Sequence, residues 1–292
     1  MANGSDGRST LSRHLDILAA FDIESPFLTL AEVSRRSALQ LSTCHRLLSE
    51  LVHHGLVERR DDKTFRLGLR LWELACRTPG ALGIREIAVP HLREVHAVVG
   101  QHIQLGVLSG SEVIFLERLS TRDAVVNITT VGGRLPLHAS SSGLVLLAFG
   151  ERELQEQILR EPMARFTHDT IASPDRLRHV LHEVRVQGFV VGNGFIHPDA
   201  RGIAVPVFGS GDAVVAAISA VVPNDDEPWM GIVESLTKCA ASIGGALQRA
   251  YLPASDPRAG PGGRLRRLVN SSTSSMEYLA GEGRRGKASP RT

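Results

Sequence analysis

The chain has 292 residues, 42% of them apolar, enough for two domains with buried cores. No run of 18 or more apolar residues reads as a membrane span. Its 33 basic and 31 acidic side chains leave a net charge of +2, which excludes a protein that coats polyanions with its whole surface; nucleic acid, if bound, needs a local basic surface.

Residues 9–21 place Leu11, Leu15, Leu18 and Ala19 at helical spacing, and Ser25-Pro26 ends that helix. Thr29-Leu30-Ala31-Glu32 reads as a capping box that opens a short second helix running to about Ser37. Ser42 is the expected N-cap of a third helix, 42–54, with Cys44, Leu47, Leu48 and Leu51 on one stripe and Gly55 as its stop. Two short β-runs, 56–60 and 64–68, flank the polar turn Asp61-Asp62-Lys63 and read as a hairpin. Three helices, the last two separated by only a few residues, followed by a hairpin, spell a winged helix-turn-helix over 9–68. A linker helix follows within 69–83, its amphipathic stretch being 69–78.

Beyond Thr78-Pro79-Gly80 the pattern changes. A helix is expected over 84–99, strands over 101–108, 112–119 and 124–131, helices over 140–149, 151–160 and 174–187, strands over 189–191, 202–208 and 213–222, and a long helix over 227–252. Strands and helices mix without strict alternation, so 84–252 reads as an α+β domain around an antiparallel or mixed sheet. Residues 253–292 are rich in Pro, Gly, Ser and Arg, have no periodicity, and are expected to form a disordered basic tail.

On a helical wheel at about 100° per residue, Ser42, His45, Arg46, Ser49 and His53 lie opposite the apolar stripe of the third helix, with Thr43 on the flank. Hydroxyls, imidazoles and one arginine on an outer face suit base-edge readout, with Arg46 matched to guanine O6 and N7. Free N–H groups at the helix start suit a phosphate. Arg59, Arg60, Lys63 and Arg66 put positive charge on the wing. With Thr29 at the start of the second helix these make the candidate DNA-binding set. A polar outer face and solubilising charge is the plain alternative.

Leu30-Ala31-Glu32-Val33-Ser34, Leu41-Ser42-Thr43-Cys44-His45-Arg46-Leu47-Leu48, Leu51-Val52-His53-His54-Gly55-Leu56-Val57 and Phe65-Arg66-Leu67-Gly68 resemble the winged helix-turn-helix of the IclR family of bacterial transcriptional regulators. The likeness continues through 82–92, 134–140, 165–167 and 203–208, in order, over about residues 9–250. It implies a GAF-like effector-binding domain after the linker helix, homodimers or tetramers on double-stranded DNA, and regulation by a small molecule, often an organic or aromatic acid. It also implies that the stretch around Ser140, Ser141 and Ser142 lines the effector pocket, opposite a wall that contains Gly192, Asn193, Gly202 and Ile203. The serines before a helix N-terminus are themselves suited to a carboxylate, or merely to capping that helix. The chain departs from the family in having Gly192 at its acidic position, Gly202 where Cys or Ser is common, and Leu144 for the usual lysine. Both glycines remove hydrogen-bonding side chains and are expected to enlarge the cavity, favouring a bulkier or more apolar effector over a small keto acid, with loss of effector response as the alternative.

No nucleophile elbow, zinc-protease, P-loop or dinucleotide motif occurs. Three scattered cysteines (Cys44, Cys76, Cys239) argue against a disulfide framework or a zinc site and for a reducing cytoplasm. The N-terminus lacks a secretory pattern. No catalytic residue, metal or cofactor is expected. Two rival readings remain: a winged-helix protein-interaction module without specific DNA binding, and a hydrolase-like enzyme using His138 with the nearby serines.

Overall fold

The computed structural model describes residues 9–22, 25–75, 81–209 and 213–251, and the chain divides into two compact units at residue 78. The expected basic tail and the last residues of the expected 69–78 helix lie outside the described residues.

The first unit contains α1 (Thr10–Ala19), α2 (Leu30–Arg36), α3 (Leu41–His53), β1 (Val57–Arg59), β2 (Phe65–Leu67) and α4 (Leu69–Ala75). The capping box at α2 forms: Thr29 Oγ1 accepts from the Glu32 N–H, and the Glu32 carboxylate accepts from the Thr29 N–H at 2.8 Å. That backbone bond, with the Thr29 hydroxyl, holds the Glu32 carboxyl below its ordinary value. The apolar stripe of α3 is buried against Ile17, Val33, Val57 and Phe65. β1 and β2 pair antiparallel with Glu58 opposite Arg66. Gly55, at φ +71, provides the left-handed turn that ends α3.

The start of α3 differs from expectation. The helix begins at Leu41, and its N-cap is Gln40, which makes no side-chain cap bond; Ser42 is inside the first turn. The turn is set from the other side instead. Leu39 is buried, its carbonyl accepts from Ser34 Oγ at 2.7 Å, and Ala38 takes up a left-handed φ of +53. These fix where the chain leaves α2, so packing rather than a cap selects the first helical residue.

The second unit contains α5 (Ala81–Val99), β3 (His102–Ser109), β4 (Glu112–Leu119), β5 (Arg134–Pro136), α6 (Ser141–Ala148), α7 (Arg152–Arg160), α8 (Pro174–Gln187), β6 (Val190–Asn193), β7 (Ala200–Phe208), β8 (Val214–Pro223) and α9 (Met230–Tyr251). The strands form one antiparallel sheet in the order β5-β4-β3-β8-β7-β6. Side chains alternate between its faces. Ile103, Leu105, Ile203, Val205, Ile218 and Ala220 meet α5 and α9 on one side. Phe115, Ala204 and Ala217 meet α6 and α8 on the other. All eight residues of α6 are buried, Leu144 completely.

Residues 124–131 are not a strand, despite their β-rich pattern. Side chains take the hydrogen bonds a ladder would need. Gln101 Oε1 accepts from the Val125 N–H at 2.8 Å, and Asn127 Oδ1 accepts from both the N–H and the hydroxyl of Thr129. The edge beside β4 is filled by β5 instead, Val113 opposite Leu135. His102 holds the loop from below. Arg118 Nε donates to Ser120 Oγ at 2.9 Å, leaving that hydroxyl's proton for His102 Nδ1 at 2.7 Å, so the ring proton sits on Nε2 and is donated to the Val125 carbonyl at 2.6 Å.

That arrangement needs a neutral imidazole. Burial pushes the His102 pKa below its ordinary 6.5, and the nearby positive charge of Arg118 and the ring of His96 act in the same direction; the bond to the Val125 carbonyl opposes them. The unfolded chain therefore takes up the proton first as pH falls, so this group's contribution to stability is complete above about pH 6.5 and declines below it. In urea denaturation at pH 7.5 and pH 5, the stability advantage of wild type over His102→Gln should shrink at the lower pH. An advantage that stays constant or grows would show that the ring is not held neutral.

Candidate functional site

Among the described residues two surfaces gather the chemistry. The first is the outer face of α3 with the hairpin. Ser42, His45, Arg46 and Ser49 are exposed and Thr43 is half-buried. Because Gln40 gives no side-chain bond and the Cys44 N–H already reaches the Gln40 carbonyl, the N–H groups of Leu41, Ser42 and Thr43 have no partner within the helix. They form a helix start open to an anion. Thr29, His45, Ser49, Arg59 and Lys63 line one groove floored by Leu30, Val52 and Phe65. Arg46, Arg60 and Arg66 stand outside it, each on a carboxylate. Arg46 Nη1 donates to Glu50 Oε1 at 2.5 Å, Arg60 to Asp62 at 2.9 Å, and Arg66 to Glu58 at 2.8 Å. The Arg60 guanidinium also stacks on Phe27, 4.5 Å from the ring centre. Such exposed pairs are worth less than about 1 kcal/mol and yield to a phosphate or base. Two of the hydroxyls are occupied: Thr29 in its cap, and Ser49, which donates to the His45 carbonyl at 2.8 Å. Lys63, at φ +64, forms the tip of the wing.

The second surface is a pocket in the second unit, between α6, the 124–130 loop and the β6–β7 turn. Its polar groups differ in how far they are committed. Ser140 is the α6 N-cap, accepting from the Gly143 N–H at 3.1 Å. Ser142 donates to Ser219 Oγ at 2.9 Å, and Ser219 donates on to Gln104. Gln104 in turn donates to the Thr129 hydroxyl. The Ser141 hydroxyl has no hydrogen bond among the described residues, and the N–H groups of Ser141 and Ser142 begin the helix without backbone acceptors. Asn127 also lines this pocket, and its buried amide nitrogen lacks a partner. A buried donor left unpaired costs about 1–3 kcal/mol, so this corner is built for an acceptor.

Of the wall residues expected from the sequence, Gly192 and Gly202 line the pocket with Ser140, Ser141 and Ser142. Asn193 and Ile203 do not. Strand alternation sends them to the opposite face, where Asn193 accepts from Arg201 Nε at 2.8 Å and Ile203 joins the core under α5 and α9. The expected enlargement at the glycines also fails. A Cβ on Gly192 would come within 2.5 Å of the Phe195 ring, and one on Gly202 within 2.7 Å of Ser141 Oγ. Each missing side chain is replaced by a neighbour. Asn127 and Phe195 were not foreseen. Asn127 lay hidden in a segment with strand-like alternation, although its side-chain turn to Thr129 has a readable signal in Asn-x-Thr. Nothing local marks Phe195, because its role depends on a glycine three residues earlier.

His138 gives its Nε2 to the Ala164 carbonyl at 2.9 Å, while Ser140 and Ser142 are bonded elsewhere. Among the described residues no serine, the free Ser141 included, is hydrogen-bonded to His138, so the hydrolase-like reading has no serine–histidine pair to rest on there. Cys44 and Cys239 are free and buried, and burial pushes the Cys239 thiol up to about 12, which leaves it inert. No helix among the described residues is long and apolar enough to cross a membrane.

Comparison with known proteins bears on both surfaces. The model of the IclR helix-turn-helix domain matches residues 10–61, and that of the bacterial transcriptional regulator IclR C-terminal domain matches residues 77–244. The chain is 31% identical over 243 residues to the HTH-type transcriptional regulator XynR of Escherichia coli (strain K12), covering 82% of this chain and 96% of that protein. It is 33% identical to the HTH-type transcriptional regulator BhcR of Paracoccus denitrificans (strain Pd 1222), covering 76% of this chain and 80% of that protein. Among solved structures it is similar to an IclR homolog complexed with 4-hydroxybenzoate from Microbacterium hydrocarbonoxydans, with a TM-score of 0.77 and 43% identity, covering 83% of this chain and all of that one. With both of its units matched in order, the chain belongs to the IclR family of bacterial transcriptional regulators.

Proposed function

We propose that this regulator reads duplex DNA with α3 and the hairpin, and answers to a monocyclic aromatic carboxylic acid bound beside α6. The open start of α3 receives a phosphate, Arg46 leaves Glu50 for a guanine edge, and Arg59 and Lys63 follow the flanking backbone. The observation that carries the effector reading is an unpaired Asn127 amide and a free Ser141 hydroxyl in one pocket, whose other polar groups Ser140, Ser142 and Gln104 are already bonded and whose apolar walls include Phe115 and Leu135. Together with the N–H groups opening α6, these donors match a carboxylate, and the apolar walls match a ring. The 43% identical homolog that holds 4-hydroxybenzoate supports the same class. The protein works as a homodimer or a higher multiple of it in the cytoplasm. α4 carries Leu69, Trp72 and Leu74, all exposed, and none of its residues is buried. A helix with no buried residue among those described needs a partner to persist, and a second copy supplies one. Acid and DNA binding are then linked, each changing the other's affinity by one shared factor.

Two measurements test this. On DNA from upstream of its own gene, Arg46→Ala should cost about 1–3 kcal/mol and relax one base position. The pair Arg59→Ala with Lys63→Ala should flatten the salt dependence by about two phosphate contacts. An absence of salt-sensitive binding by wild type would instead favour a protein-interaction module. For the effector, 4-hydroxybenzoate at about a hundred times its Kd should add about 2.7 kcal/mol of stability. Asn127→Ala should weaken binding by about 10- to 100-fold, the worth of a hydrogen bond to a charged group, and Ser141→Phe should abolish it. Undiminished binding in both variants would place the acid elsewhere.

A further inference from the structure

We infer that the Phe195 ring is an internal plug of the α6 pocket, seated on the bare strand at Gly192, and that an aromatic acid binds by turning this side chain out and laying its own ring in the vacated place. The inference rests on the aromatic-acid reading above and adds how the pocket opens and what limits ligand size.

The seat is made by glycine. A Cβ at residue 192 would lie 2.5 and 2.7 Å from Cδ2 and Cε2 of Phe195, so the ring can approach the strand this closely only because Gly192 has none. Gly192 itself is buried, whereas Phe195 is half-buried, so the ring has an exit to solvent. The space left beside the ring is small. The region that the centre of a water-sized molecule reaches is about 60 Å³. At about 10–15 Å³ per water this holds about five waters, about 150 Å³ of liquid and the size of a cavity that takes a benzene, which is room for about six of the ten or so non-hydrogen atoms of 4-hydroxybenzoate. The acid therefore needs the volume of the phenyl ring as well.

The backbone does not supply that volume. Thr170 Oγ1 donates to the Phe195 carbonyl at 2.6 Å, and Thr167 Oγ1 donates to the Gly194 carbonyl at 2.6 Å. Thr170 is completely buried. With the chain clamped on both sides of the Cα, the available motion is rotation of the side chain, which needs no loop opening. Ligand affinity is then reduced by the fraction of time that the ring is in place.

The test uses the full chain carrying 4-fluorophenylalanine, with the Phe195 fluorine resonance assigned by Phe195→Leu. Without ligand the resonance should be partly shielded from a soluble paramagnetic chelate, as the half-buried ring implies, and 4-hydroxybenzoate should expose it further. Gly192→Ala should expose it with no ligand present. In calorimetry Phe195→Ala should bind 4-hydroxybenzoate roughly tenfold tighter, the gain if the ring is out one time in ten, and should admit 2-naphthoate. A resonance as exposed in the free protein as with ligand, or weaker binding by Phe195→Ala, would overturn the plug. If neither wild type nor Phe195→Ala binds the acid, the effector reading fails by itself, and Gly192→Ala still decides the seat: an exposed ring upholds it and a shielded ring refutes it.

Discussion

The approach of α6 to the sheet is the contact on which the second unit depends. A helix buried on every side must lie close to what it covers, and here the strands beneath it carry Gly106, Gly202, Ala204, Ala217 and Ser219. A Cβ at Gly106 would strike Val113 on the next strand at 2.6 Å and already touch the Ser142 Cβ at 3.5 Å, and one at Gly202 would strike Ser141 at 2.7 Å. Larger residues along this strip would lift the helix. The lift would break the chain of hydrogen bonds from Ser142 through Ser219 to Gln104. Because Gln104 also holds Thr129, the 124–130 loop would lose its inner anchor as well. One close approach thus sets the helix, the loop and the polar corner between them.

The same economy explains why the pocket keeps unpaired donors. Ser140 and Ser142 satisfy the protein's own needs, one capping the helix and the other bonding the sheet. That leaves Ser141, the first residue of α6, with a free hydroxyl in the pocket that Asn127 also lines. In the first unit the balance is reversed. The cations are largely engaged by carboxylates in the free protein, and the free donors are backbone groups at the start of α3. Charges held in weak exposed pairs keep non-specific attraction low while remaining available to a groove that offers better partners.

Helices and their faces were legible in the sequence wherever periodicity and burial agree. The stripe Cys44, Leu47, Leu48 and Leu51 is the core of the first unit, and the Thr29–Glu32 box forms as its spacing implies. Legibility ended where distant contacts decide. The first residue of α3 is chosen by the burial of Leu39, not by a hydroxyl at Ser42. Residues 124–131 have strand composition, yet Gln101, Asn127 and His102 claim their backbone groups. Placing Asn193 and Ile203 in the pocket treated a continuous run of sequence as one wall, whereas a strand offers only every second residue to each face.

Gly192 and Gly202 show how far a reading by residue size can mislead. They stand directly opposite one another in the β6–β7 ladder and so share a face. Removing two side chains from one spot reads as a hole. A packed interior does not keep such a hole when a neighbour can fill it, and here Ser141 fills one half and the Phe195 ring the other. The two fillings differ in kind. Ser141 belongs to a helix buried on all sides and cannot withdraw, whereas Phe195 is carried on a turn and is only half-buried. The glycine pair therefore makes a pocket with one fixed wall and one replaceable wall, and its capacity is set by the rotation of a single side chain.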